Sequence, residues 1–138
     1  MTKRVNTDAY MEFVNAVTSE ESRDYIPVNS RCFEIQSGDD GIPIHRLITA
    51  ALGMGAESGE FTEVVKKIVF QGKPVNEDNI FHMNRELGDI MWYVAQACMS
   101  LDTTIDEIIE MNVEKLQARY PGGSFDVHHS ENRAEGDV

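Results

Sequence analysis

A chain of 138 residues is the length of one domain, and 24 acidic against 12 basic side chains give it a formal charge of −12. That charge repels a nucleic-acid backbone and argues against duplex DNA or RNA as a partner. Two cysteines without metal-ligand or redox spacing, Cys32 and Cys98, and no signal peptide or apolar run of membrane length lead to the expectation of a cytosolic protein with reduced thiols and no membrane partner.

The first predicted helix runs from about Asp8 to Glu20, with Tyr10, Phe13, Val14 and Val17 at helical spacing. From Ser22 to Gly41 the periodicity is lost, and Pro27, Gly38 and Asp39-Asp40-Gly41 interrupt the run, which predicts an irregular segment. A second helix is expected from after Pro43 to about Phe70, closed by Gly72 with Pro74 beyond it, the usual order of C-terminal stop signals. It carries Glu57-x-x-Glu60, and also Gly53, Gly55 and Gly59 beside Ala50, Ala51 and Ala56. An interior glycine costs roughly 1 kcal/mol relative to alanine, so this small-residue surface reads as close helix packing, ligand approach or a bend.

The third predicted helix, from about Asp78 to Leu101, carries Glu86-x-x-Asp89 and an apolar set of Leu87, Ile90, Met91, Val94, Ala95 and Cys98. The fourth opens on Thr104-x-x-Glu107, a capping-box pattern, continues through Ile105, Ile109, Val113 and Leu116, and stops before Pro121-Gly122-Gly123. Residues Asp126 to Val138 are polar and charged and predict a mobile tail. No strand alternation competes. The expected fold is all-α, a four-helix bundle with one ordered insertion, in which residues 1–125 form a single domain and 126–138 the tail. Apolar residues on more than one face of these helices call for a second chain, so a homodimer or homotetramer is expected.

Positions three apart lie roughly 60° apart around a helix, so each acidic repeat projects two carboxylates from one face. Two such helices packed together gather Glu57, Glu60, Glu86 and Asp89, and crowded like charges with only oxygen ligands are suited to Mg²⁺, with Mn²⁺ as a possible substitute. Lys67 falls roughly 80° from Glu57 on the Glu60 side, while Glu63 drifts to about 120° and reads as an acid behind the ligands. Tyr93 stands almost above Glu86, with Gln96 on the side of Asp89, and Asn112, Lys115 and Arg119 fall within about 60° of one another on the fourth helix. An acid pair facing a donor stripe suits hydrolysis of a polyphosphate, the cation bridging phosphate oxygens and lysine and arginine holding the rest.

The bland alternative is that glutamate is a good surface helix former and an isolated E-x-x-E a solvated face. Two repeats on consecutive helices followed by a basic stripe speak against it, and the absence of Glu-x-x-His speaks against a di-iron bundle. Trp92 reads as a core or subunit-contact residue rather than a stacking platform. His45, after a proline, and His82, at a helix start, read as capping or solvated side chains, His128 and His129 as exposed, and Cys98 as a core thiol.

Glu57-Ser58-Gly59-Glu60-Phe61-Thr62-Glu63, Arg85-Glu86-Leu87-Gly88-Asp89-Ile90-Met91-Trp92-Tyr93 and Asn112-Val113-Glu114-Lys115-Leu116-Gln117-Ala118-Arg119-Tyr120-Pro121 resemble the MazG-like all-α nucleoside triphosphate pyrophosphohydrolases, over about residues 44–125. The resemblance implies that Glu57, Glu60, Glu86 and Asp89 ligate Mg²⁺. It also implies that Asn112 and Lys115 contact sugar or phosphate, with Arg119 a further contact, while Lys67 and Tyr93 are expected beside the substrate from their helix-wheel positions alone. The implied reaction cleaves the α–β phosphoanhydride of a (deoxy)nucleoside triphosphate to a monophosphate and pyrophosphate, for pool control or removal of unwanted nucleotides, with Glu57 or Glu60 taking the proton of the attacking water. The single-module length resembles members carried by bacteria and phages, which implies a bacterial or phage-infected host cytoplasm. A phosphoribosyl-ATP-type pyrophosphohydrolase and a non-catalytic nucleotide- or metal-binding helical regulator are the competing readings.

Overall fold

The computed structural model describes residues 6–133. Among them all regular structure is helical, and the chain divides into two compact units, residues 1–45 and 46–138.

The first unit opens with α1, Thr7–Val17, whose first turn is closed by the Asn6 side chain accepting from the amide of Ala9 at 3.1 Å, satisfying one of the donors a helix start leaves over. Helix α1 ends at Thr18, where the hydroxyl donates to the carbonyl of Val14 at 2.6 Å. It therefore stops short of Glu20. Next come the short α2, Glu20–Arg23, and α3, Tyr25–Ser37, which pack against one another.

Helix α3 corrects the irregular segment expected between Ser22 and Gly41. Asp24 caps it, accepting from the amide of Ile26 at 2.9 Å, and Pro27 falls inside the first turn. There the missing amide has no intrahelical acceptor to lose, so a residue that reads as a breaker is tolerated. The helix is weakly amphipathic and buries no residue fully, which is why periodicity did not reveal it.

The second unit is built on α4, Ile44–Gln71, α5, Glu77–Ser100, and α6, Ile105–Arg119, close to the predicted bounds. Gly72 takes a positive φ of 70°, a conformation that costs glycine little, and the next amide, of Lys73, returns to the carbonyl of Lys67 at 3.1 Å. Asn76 then caps α5 by accepting from the amide of Asn79 at 3.0 Å, and buried Asn79 donates its side-chain amide to the carbonyl of Pro74 at 2.7 Å. The connection is thus tied to the helix that follows it.

Between α5 and α6 the chain turns through Asp102, a non-glycine residue at φ 52°. The predicted capping box is present: the Thr104 hydroxyl accepts from the amide of Glu107 at 3.2 Å, and the Glu107 carboxylate accepts from the amide of Thr104 at 2.8 Å. The Thr103 hydroxyl, the Thr104 amide and the Thr104 hydroxyl together hold the Glu107 carboxyl below its ordinary value.

Beyond α6, Asp126 caps a further short helix, α7, Val127–Glu131, accepting from the amide of His129 at 2.9 Å. The mobile tail expected from Asp126 onward thus begins with a capped helix, and its last residues, 134–138, lie outside the described residues. Among the described residues no helix is long and apolar enough to cross a membrane.

Candidate active site

Helices α4 and α5 meet in antiparallel order. Arg46 near the start of α4 donates to the Met99 sulfur near the end of α5 at 3.4 Å, Gly53 lies against Tyr93, and Glu57 and Glu60 lie against Glu86. Rising residue numbers on one helix thus meet falling numbers on the other.

The glycines of α4 divide in two. Gly53 is buried, and a Cβ there would overlap the ring of Tyr93, so this glycine sets how closely the helices approach. Gly55 and Gly59 face open space. Tyr93, expected beside a ligand, is half-buried on Gly53 and meets Trp92 edge-on at 4.8 Å between ring centroids. Trp92 itself is 55% exposed, so it forms no part of this chain's core.

One turn further along α4 the two acidic repeats converge. Carboxylate oxygens of Glu57, Glu60 and Glu86 all lie within 4.8 Å of one another. Glu86 is buried, Glu57 half-buried, and Glu60 and Asp89 exposed. Partial burial, then the charges of Glu60, Asp89 and Glu86, push the Glu57 carboxyl above the ordinary value of 4.5, and a hydrogen bond with Glu86 acts in the same sense. The charges felt by Glu57 are thus those of three other acids. A set of hard oxygen donors held this close, with the Glu57 carboxyl raised by its acidic neighbours, fits a divalent cation, whose charge would remove the repulsion.

The remaining candidate residues differ in burial and in their recorded partners. Lys67 is bound by its own helix, its ammonium 3.1 Å from the carboxylate of Glu63, and the hydrogen bond and charge of Lys67 hold the Glu63 carboxyl below its ordinary value. Asn112 and Lys115 are exposed on α6, and Arg119 is half-buried at its end. His82 was expected as a capping or solvated side chain. Instead its Nε2 lies 2.9 Å from Glu86 Oε1. The spacing of four residues carried that signal, since such pairs face each other on a helix.

The converging Glu-x-x-Glu and Glu-x-x-Asp, now joined in space as well as in order, coincide with a known domain. The family model of the MazG nucleotide pyrophosphohydrolase domain matches residues 47–124. This chain belongs to the MazG nucleotide pyrophosphohydrolase domain family. One relative of this chain is the Gene 37 protein of Mycobacterium phage L5, 37% identical over 81 residues that cover 58% of this chain and 71% of the phage protein. No solved structure matches the chain. The matched MazG region takes in α4 from its first turn, all of α5 and all of α6, so the acid cluster and the α6 donors lie inside it, whereas α1 to α3 lie outside. Membership gives the chain its activity class, nucleotide pyrophosphohydrolase, and a nucleotide as its substrate.

Proposed function

We propose that this MazG protein is a Mg²⁺-dependent hydrolase of (deoxy)nucleoside triphosphates that splits the α–β phosphoanhydride, giving a nucleoside monophosphate and pyrophosphate with consumption of one water. The observation that carries this reading is the approach of Glu57, Glu60 and Glu86 within 4.8 Å, with Asp89 adding its charge. Bound there, Mg²⁺ supplies charge neutralisation for the phosphate oxygens and a lowered pKa for a coordinated water. Glu57, Glu60, Glu86 and Asp89 hold it, and Mn²⁺ meets the same oxygen set.

Glu57 or Glu60 receives the proton of the attacking water as it adds to the α-phosphorus, and the pyrophosphate leaves. Lys115 and Arg119 grip phosphate oxygens, which keeps the leaving group's charge balanced. Lys67 can exchange its Glu63 partner for phosphate, and Tyr93 stands beside the substrate. Asn112, able both to donate and to accept, reads a sugar hydroxyl or orients a phosphate. No covalent enzyme intermediate is needed.

The working form is a homodimer or homotetramer. Ala50, Val64 and Cys98 are the buried apolar side chains among the described residues, while Leu52, Phe70, Phe81, Ile109 and Met111 are all more than half exposed. Burying a large apolar side chain stabilises by about 1.5–3 kcal/mol, so a second copy of the chain has ample apolar surface to cover. The physiological role that follows is control of nucleotide pools or removal of unwanted nucleotides.

Pyrophosphate release across a panel of nucleoside triphosphates, with Mg²⁺ and after chelation, tests the reading. Turnover should need the metal and fall by orders of magnitude in Glu60→Ala and Asp89→Ala. Undiminished turnover in either variant, or in chelator, would overturn it.

A further inference from the structure

Glu86 is the most buried member of the acid cluster, its side chain 8% exposed, and it is held from two helices. Glu57 on α4 shares a hydrogen bond with it, and His82, one turn earlier on α5, presents Nε2 at 2.9 Å from Oε1. These two supports differ in kind. The contact with Glu57 joins two members of the acid cluster to each other, whereas His82 is not one of the acids and engages one Glu86 oxygen, Oε1.

We propose that His82 is a positioning residue for the metal centre: its Nε2–H donates to Glu86 Oε1 and fixes the plane of that carboxylate, so that the second oxygen is presented toward Glu57 and Glu60. The terminal torsion of a glutamate is broad, and an unanchored carboxylate would sample orientations that carry no ligand oxygen into the cluster. A hydrogen bond from an imidazole removes that freedom, and partners behind ligating groups are worth roughly 10- to 100-fold in metal affinity. His82 is 47% exposed and meets the cluster at Glu86, so it acts on the site through that carboxylate. This role rests on the metal-dependent reading above.

The test is Mn²⁺ binding to the full chain without nucleotide, followed by loss of the free-ion electron paramagnetic resonance signal at one fixed pH, with a thermal melt of each variant. Four forms are compared: wild type, His82→Leu, His82→Gln and His82→Asn. The glutamine amide reaches as far from the backbone as imidazole Nε2, and the asparagine amide falls short. His82→Leu and His82→Asn should bind Mn²⁺ about ten-fold more weakly, with His82→Gln close to wild type and all melts similar. Equal Mn²⁺ affinity for His82→Gln and His82→Asn overturns the positioning role, and this comparison stands even where His82→Leu fails to fold. Glu86→Gln separates the two levels of inference: unchanged Mn²⁺ binding in that variant, or none in wild type, removes the metal site itself and the role of His82 with it.

Discussion

Replacing Gly53 by alanine tests the packing that brings the acids together. A Cβ at this position would overlap Cδ1, Cε1 and Cζ of Tyr93, so either the ring swings off α4 or the helices separate. Overpacking of this kind costs about 1–3 kcal/mol, and the better helix propensity of alanine returns up to about 1 kcal/mol. The net expectation is destabilisation by about 1–2 kcal/mol, or a melting temperature lower by roughly 3–8 °C for a chain of this size. Gly55, with nothing within 4 Å of its would-be Cβ, is the control: Gly55→Ala should stabilise by about 0.5–1 kcal/mol through propensity alone. Urea denaturation followed by circular dichroism reads both. In a Tyr93→Ala background the penalty at Gly53 should disappear, since the atoms it meets are gone. A Gly53→Ala protein as stable as Gly55→Ala would refute the close approach of α4 and α5 at this level.

In the absence of divalent cations, the raised carboxyl of Glu57 means that the folded state holds a proton the unfolded state has already released. Its contribution to stability is therefore present below the ordinary value of 4.5 and is lost as pH rises through the raised one; urea unfolding in chelator should show wild type losing more stability than Glu57→Gln across that window, and an identical pH slope for the two would contradict the shift. Light scattering at micromolar concentration should give a mass of two or four chains, and a stable monomer would remove the proposed assembly. Lys115→Met, which keeps most of the side chain's packing and deletes its charge, should weaken nucleotide binding while leaving Mn²⁺ binding intact. Asn112→Ala should change the ranking of nucleotides as well as the rate, and an unchanged ranking in steady-state kinetics would take that role away.

Where a structural cause is local, it was legible in the sequence. Gly72 followed by Pro74, and Thr104-x-x-Glu107, announced the end of α4 and the start of α6 because the donors and acceptors they satisfy lie within one turn. The acid cluster was legible for a related reason: two Glu/Asp pairs at helical spacing can converge whenever their helices pack, and Gly53 permits that packing. Helix α3 is hidden in the sequence because Pro27 is a breaker except in the first turn after a cap such as Asp24, and because its apolar residues make no clear stripe. His82 lies near the helix start, where capping is the common role, yet its spacing of four from Glu86 is what pairs the two. The sequence is silent on how Lys115 and Asn112 approach the acids, since that depends on how α6 lies against the other helices and not on spacing within it.

The hydrogen bond between Glu57 and Glu86 has a calorimetric consequence. At a pH where the raised Glu57 carboxyl still carries proton, a divalent ion that settles between these carboxylates displaces it, and the surrounding buffer absorbs what is released. The heat of metal binding will accordingly contain the buffer's own ionisation enthalpy, so titrations in phosphate and in an amine buffer at the same pH should differ in apparent enthalpy. The slope of that difference counts the protons released per ion, a stoichiometry readable without any nucleotide present.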